Sequence, residues 1–225
     1  MKNIIITGTS RGIGSEMVKQ FVELGHNVIA LSRKPNPDFE SLERVHFYSV
    51  DLSDVDALQN CVAKITNQFT TIDVLIHNAG SIVNKPFAEI SSKEFAYVYQ
   101  VNVFGVAALT QAVVPFMPGG SHVVTVSSMG GVQGSLKFPG LAAYSSSKGA
   151  VITLSELLAE EYKSQGVSFN VLALGAVQTE MLSEAFPGYI APIDPKGMAS
   201  YISNFALTGH KYFNGKVIQV SSSTP

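Results

Sequence analysis

The chain has 225 residues, 46% of them hydrophobic and 14% charged, with 15 Lys+Arg against 17 Asp+Glu for a formal charge of −2. Such a length and apolar fraction suit one large globular domain or two small ones, and the absence of a basic block or basic amphipathic stripe argues against nucleic-acid and membrane-surface partners. One cysteine, no Asn-x-Ser/Thr sequon and a first segment that reads as strand rather than leader lead us to expect a reducing, cytoplasmic setting.

The run NIIITGTSRGIG, Asn3 to Gly14, sets three isoleucines before a threonine and three glycines. The β-branched run reads as a buried strand, and the segment after it puts Met17, Val18, Phe21, Val22 and Leu24 at helical spacing. Gly8, Gly12 and Gly14 then lie at a strand-to-helix turn, where free N–H groups and the positive end of the helix dipole suit a phosphate. A tight turn with close helix packing is the alternative that a glycine triplet leaves open.

Further strands are expected at 26–32 and 44–52, separated by a proline-containing loop at 34–40 and a short Glu/Leu segment. Another is expected at 72–80, ending in a turn signal, and then one or two helices between Ser91 or Ser92 and Met117. The apolar stretch from Val101 to Met117 is broken by Asn102, Gly105, Thr110, Gln111 and Pro115, so it reads as a buried helix rather than a membrane span. A strand at 121–128, a helix from 142 closed by Gly166, a strand at 167–174, a helix near 194–206 and a strand at 216–220 complete the series. Alternating strands and helices predict a parallel sheet covered on both faces, with ligands bound beyond the strand ends at the switch point. The five histidines show no metal-ligand spacing, and no metal is expected.

Two tyrosines precede a lysine by four residues. Tyr212 and Lys216 straddle the turn signal Asn214-Gly215 and do not share a helix face. Tyr144 and Lys148 open a long helix, where i and i+4 stack, so the ammonium can sit near the phenol. Lowering a tyrosine from about 10 to about 7 takes roughly 4 kcal/mol of differential stabilisation, which a nearby cation helps to supply. A core tyrosine beside a solvated lysine is the simpler reading of that pair taken alone.

Taken together and in order, these segments resemble the short-chain dehydrogenase/reductases in their single-domain form. TGTSRGIG (7–14) is similar to that family's cofactor turn, Asp51-Leu52 to its adenine contact, and HNAG (77–80) to its Asn-Ala-Gly strand end. Val101-Asn102 resembles the helix asparagine, Ser127-Ser128 the catalytic serine site, YSSSK (144–148) the Tyr/Lys pair, and GAVQTEM (175–181) the nicotinamide loop.

The resemblance implies one domain over residues 1–225, with a cofactor half to about residue 120 and a catalytic half after it, built as a Rossmann-like doubly wound α/β sheet of about seven strands in three α/β/α layers. It implies hydride transfer between nicotinamide and a carbonyl or secondary alcohol, with Tyr144 as general acid/base and Lys148 lowering its pKa and holding the ribose. Ser128 would donate to the developing alkoxide, and Asn102 would anchor a water linking Lys148 to solvent. Cofactor contacts would come from Gly8, Ser10, Arg11, Gly12, Ile13, Gly14, Arg33, Asp51, Leu52, Asn78, Ala79, Gly80, Val101, Val177 and Thr179, along with Tyr144 and Lys148. Relatives pair across the helices at 92–117 and 144–162, whose apolar residues fall on more than one face, so a homodimer or homotetramer is expected.

Departures from the pattern sharpen the expectations. Sixteen positions separate Ser128 from Tyr144, more than is usual in the family, which makes Ser127 a fallback for the catalytic hydroxyl. Leu174 stands where a proline normally precedes Gly175, SSSTP replaces the common acidic-glycine ending, and the stretch from Met181 to Asp194 leaves little for a lid. At the end of the second strand stand Ser32 and Arg33 rather than the carboxylate usual for NAD(H). Arg33, with Arg11 as a second guanidinium, suits a 2′-phosphate, so NADP(H) is the expected cofactor and NAD(H) the less favoured one. The competing functional reading is a regulatory protein that binds the cofactor on the same fold without turnover. The substrate is not named by any segment.

Overall fold

A computed structural model describes residues 1–221. Seven strands, β1 (Asn3–Thr7), β2 (Asn27–Ser32), β3 (Val45–Ser49), β4 (Val74–His77), β5 (His122–Ser128), β6 (Ser168–Leu174) and β7 (Lys216–Val220), form one sheet in the order β3-β2-β1-β4-β5-β6-β7. Every pairing is parallel. The strands at 44–52 and 72–80 are shorter than their sequences suggest, because Val50–Leu52 and Asn78–Gly80 leave the ladder and become the loops at the cleft.

The consecutive isoleucines of β1 reflect burial on both faces. Ile5 joins Ile29, Leu75 and Val123 under α2 (Val55–Gln68), α4 (Gly105–Val113) and α5 (Ala142–Glu161). Ile4 and Ile6 join Val28, Ile76 and Val124 under α1 (Gly12–Glu23) and α7 (Pro195–Thr208). The β2–β3 crossover carries no α-helix; Asn36 caps a single 3₁₀ turn at Pro37–Phe39, and Phe39 fills the gap in the core.

The region after Ser91 is helical through Phe116, as α3 (Ser92–Tyr99), a π turn at Gln100–Phe104, α4 and a 3₁₀ turn. Ser91 caps it in a reciprocal box with Glu94. By length and composition this stretch could cross a membrane, but half of it is buried in the fold, with Val98, Val101, Leu109 and Val113 inside. α5 ends at Glu161, short of Gly166, which in left-handed conformation closes a further 3₁₀ turn at Lys163–Gln165. A helix that spacing did not predict, α6 (Glu180–Ala185), follows β6. Tyr212 is exposed in the turn before β7, away from the cleft. Ser222–Pro225, most of the SSSTP ending, lie outside the described residues.

Behind the strand starts, a buried polar network holds α7 and β7 to the sheet. His122 Nδ1 lies 3.0 Å from the Ala206 carbonyl and its Nε2 lies 2.9 Å from Asn170 Nδ2, which also donates to Phe213 O. The neutral tautomer with Nδ1–H satisfies both contacts, and burial pushes the His122 pKa down to about 4. An unfolded histidine titrates near 6.5, so the unfolded chain takes up this proton first; the stability is complete above about 6.5 and lost as pH falls toward 4. Thermal melts from pH 7 to 4 should show Tm falling, with a shallower slope in His122→Phe whatever its absolute Tm. An unchanged slope would show that His122 is not the titrating group.

Candidate active site

The carboxyl ends of the strands open into a cleft of ≈ 1380 Å³, larger than a usual single-ligand pocket. At one end lies the glycine turn. Gly8 (φ +74°) and Gly12 (φ +60°) adopt left-handed conformations, and Gly14 is forced by packing, since a Cβ there would stand 2.1 Å from the Gly8 carbonyl oxygen. The turn is braced from β4. Asn78 Nδ2 donates to the carbonyls of Thr7 (3.0 Å) and Gly8 (3.2 Å), while the amides of Asn78 and Ala79 both donate to Thr7 Oγ1 at 3.0 Å. Asn78 thus supports the turn, and its amide nitrogen is committed to protein carbonyls.

The N-terminus of α1, unlike those of α2, α3, α6 and α7, has no side-chain cap. Its free N–H groups face the cleft beside Ser10, Gly12 and Ile13, which fits a diphosphate. Farther along, Ser32, Arg33, Lys34, Asp51, Leu52 and Val101 line the wall. Ser32 Oγ donates to Lys34 O at 2.7 Å, and Asp51 Oδ1 accepts from the amide and hydroxyl of Ser53. Arg33 donates to the hydroxyl of Tyr97 (3.2 Å), a cleft residue that spacing did not single out.

Arg11 sits differently from the expectation of a second guanidinium beside Arg33. It forms a forked pair with Glu184 of α6, at 2.6 and 3.2 Å, across the mouth of the cleft. That hydrogen bond raises the Arg11 pKa further.

At the other end stand Ser128, Tyr144 and Lys148. β5 brings Ser127 and Ser128 to the cleft, and strand alternation separates their roles. Ser127 Oγ is buried and donates to the Lys148 carbonyl at 2.9 Å. Ser128 faces Tyr144. Burial pushes the phenol above its ordinary pKa, while the Ser128 hydroxyl pulls it down. Lys148 Nζ donates to the Val126 carbonyl at 2.8 Å and lies 5.8 Å from the Tyr144 ring centroid. Burial lowers its pKa to about 8.

Asn102 belongs to the π turn and is buried. Its Nδ2 donates to Ser81 O and Ser147 Oγ, both at 2.9 Å, and its Oδ1 accepts from the Ser81 amide at 2.7 Å. Gly80 fits between Asn102 and Lys148: a Cβ there would lie 3.6 Å from Asn102 Oδ1 and 3.6 Å from Lys148 Nζ. On the far side of the cleft, Leu174 ends β6, Gly175 and Val177 follow it, and Thr179 caps α6 by accepting from the Leu182 amide. His77, just before Asn78, is fully buried; Nε2 meets Thr110 Oγ1 at 2.8 Å, and burial lowers its pKa to about 3. Among the described residues no group of three or more His, Cys, Asp or Glu could hold a metal.

Residues 2–189 match the model of the short chain dehydrogenase family. The chain is 34% identical over 182 residues to the oxidoreductase BOA17 of Botryotinia fuckeliana, covering 78% of this chain and 65% of that one. It is 32% identical over 189 residues to the 3-oxoacyl-[acyl-carrier-protein] reductase FabG of Thermotoga maritima, covering 80% and 76%. In fold it is similar to a short chain dehydrogenase of Burkholderia cenocepacia J2315 solved with NADP (TM-score 0.89, 21% identity, 99% and 97% covered). It is equally similar to a 4-hydroxyisoleucine dehydrogenase solved with NADH (TM-score 0.89, 24% identity, 99% and 98% covered). With a seven-stranded parallel sheet, an uncapped glycine turn at its switch point and this match over most of its length, the chain belongs to the short-chain dehydrogenase/reductases, a family of NAD(P)-dependent oxidoreductases.

Proposed function

We propose that the chain is an NADP(H)-preferring carbonyl reductase or alcohol dehydrogenase with Tyr144 as its acid/base. One observation carries the reading: Ser128, Tyr144 and Lys148 meet at one end of a single cleft whose other end presents the uncapped α1 and Arg33. When bound, the nicotinamide supplies or accepts the hydride. Tyr144 gives its phenolic proton to the carbonyl oxygen in reduction and takes it back in oxidation. Ser128 holds the same oxygen by a hydrogen bond that strengthens as negative charge develops. Lys148, as the cation nearest the phenol, offsets the burial that opposes phenolate formation. Asn102 locks the π turn onto Ser81 and Ser147 and so fixes the wall beside Lys148.

Cofactor choice rests on Arg33 and Lys34, which line the cleft at the end of β2, while the carboxylate on the same wall, Asp51, accepts from the amide and hydroxyl of Ser53. A hydrogen bond to a charged group contributes about 1.5–3 kcal/mol, so Arg33→Ala should lower kcat/KM for NADPH roughly ten- to a hundredfold and leave NADH almost unchanged. Adding Ser32→Asp should invert the preference, because a carboxylate repels the 2′-phosphate and accepts from ribose hydroxyls. Steady-state kinetics with both cofactors on one ketone decide the matter, and equal losses for both would remove the phosphate role.

Assembly is the second part of this reading. Phe104, in the π turn, is 53% and Leu157, on α5, 62% exposed, and Phe95 and Tyr99 stack on one another along α3. Pairing with a second copy across these helices would cover them. Light scattering at micromolar protein should give a dimeric or tetrameric mass, and a monomeric mass would contradict it.

A further inference from the structure

The reacting end of the cleft has an unusually uniform chemistry. Its walls come from Met129 after β5, Phe138 in the loop before α5, and Met181, Phe186 and Tyr189 on and after α6. Apart from Lys148, the charged side chains that line the cleft lie elsewhere. Arg33, Lys34 and Asp51 belong to the nucleotide end, and Arg11 is held by Glu184. Glu180 leans over the glycine turn, with its carboxylate 3.4 Å from where a Gly12 Cβ would be. Lys148 is turned to the Val126 carbonyl.

The cations near the rim are committed as well. Lys85 is paired with Glu94, and Lys137 donates to Val132 O and Ser135 Oγ. Among the described residues, the one cation that lines this end is Lys148, whose ammonium donates to the Val126 carbonyl at 2.8 Å, and no second cation stands beside it to receive a carboxylate, phosphate or sulfonate. A charged group entering there would lose its hydration without a partner.

The walls are also tied together. The Lys85 amide donates to the Gly140 carbonyl at 3.1 Å, and Asn84 Nδ2 donates to the Ala185 carbonyl at 2.8 Å, so one segment holds both the Phe138 loop and the end of α6. Ser135 Oγ donates to Met129 O and Val132 O at 2.5 and 2.8 Å, securing the base of the same loop. The extra residues between Ser128 and Tyr144 are therefore a fixed wall that carries an aromatic ring, partly exposed at 39%, to the mouth. Its counterparts across α6 are the rings of Phe186 and Tyr189.

From this we infer that the substrate is a neutral, ring-bearing ketone, aryl or alicyclic, or the corresponding secondary alcohol, rather than a sugar, a keto acid or a phosphorylated carbonyl. The inference rests on the oxidoreductase reading above and adds the substrate class to it. Flat apolar rings gain contact from aromatic walls, whereas hydroxyl-rich or anionic substrates require more polar partners than the few hydroxyls here, of which Ser128 and Tyr144 are taken by the reacting oxygen.

The test uses the full chain with saturating NADPH, or NADH where that is the better cofactor, on acetophenone, its para-carboxylate and a ketose of similar size. Acetophenone should have a kcat/KM at least about tenfold above both others. Phe186→Arg, which places a cation on the half-buried wall, should narrow the gap between acetophenone and its carboxylate by lowering KM for the carboxylate. Equal or better turnover of the carboxylate or the ketose by the unaltered chain would overturn the substrate class while leaving the oxidoreductase reading in place. Cofactor binding without turnover of any carbonyl would instead remove that reading, and the substrate class with it. A Phe186→Arg variant that folds, as judged by its melt, and keeps the original ratio would show that this wall does not contact substrate, and would also overturn the inference.

Discussion

Tyr144→Phe should lower kcat by roughly 10²- to 10⁴-fold, the usual contribution of a positioned acid/base, and leave the affinity for NADPH nearly intact. The substitution removes one hydroxyl and little volume, and the helix around it depends on neighbours that do not change: Ser147 donates to Tyr144's own carbonyl at 2.7 Å and Ala143 is fully buried. The size of the loss follows from the balance at the phenol. Burial disfavours the phenolate and the Ser128 hydroxyl opposes it, with the Lys148 ammonium 5.8 Å from the ring centroid. Turnover should be measured on a reducible ketone, with cofactor affinity read separately from quenching of nicotinamide fluorescence. Wild-type kcat in this variant would end the assignment, and lost NADPH binding would show that the phenol holds the cofactor rather than the proton.

Ser128→Ala is expected to cost about 10²- to 10³-fold in kcat, as removal of one preorganised donor to a developing oxyanion does. Ser127→Ala should behave in the opposite manner. Its hydroxyl, buried between β5 and α5, donates to the Lys148 carbonyl, so its loss should lower Tm and leave kcat within a few fold. The two neighbouring serines thus separate chemistry from support in one experiment. A kinetic loss confined to Ser127→Ala would move the donor by one residue and contradict the geometry.

The strands were legible because burial on both faces demands continuous β-branched runs such as Ile4-Ile5-Ile6 and Val123-Val124. The glycine turn and the Tyr144/Lys148 pair were legible because their spacing is local: one strand-to-helix turn and one helical turn. What escaped was set by distant partners. Glu184, the partner of Arg11, lies 173 positions away, and no local pattern joins them. Asn78 reads as a cofactor contact from its place after β4, but its amide nitrogen is spent on Thr7 and Gly8. α6 is six residues long, too short for periodicity to separate it from loop, and Thr179 was legible as a cleft residue but not as its cap. The alternation of β5 says that Ser127 and Ser128 face opposite ways, and only the placement of α5 decides which of them meets Tyr144.

The sheet order also sets when the cleft can exist during synthesis. β1 emerges first and can pair with β2 after one crossover, but its other neighbour is β4, with Ile4 beside Val74 and Ile6 beside Ile76. The bonds that fix the glycine turn, from Asn78 and Ala79 to Thr7 and Gly8, span about seventy residues. A nascent chain that has delivered β1, α1, β2 and β3 to the ribosome exit therefore carries the whole glycine motif and its bond to β2, from the Gly8 amide to the Leu31 carbonyl, but none of its bracing from β4. Closing so long a loop is slow, and the motif becomes a rigid cradle only after β4 has docked beside it.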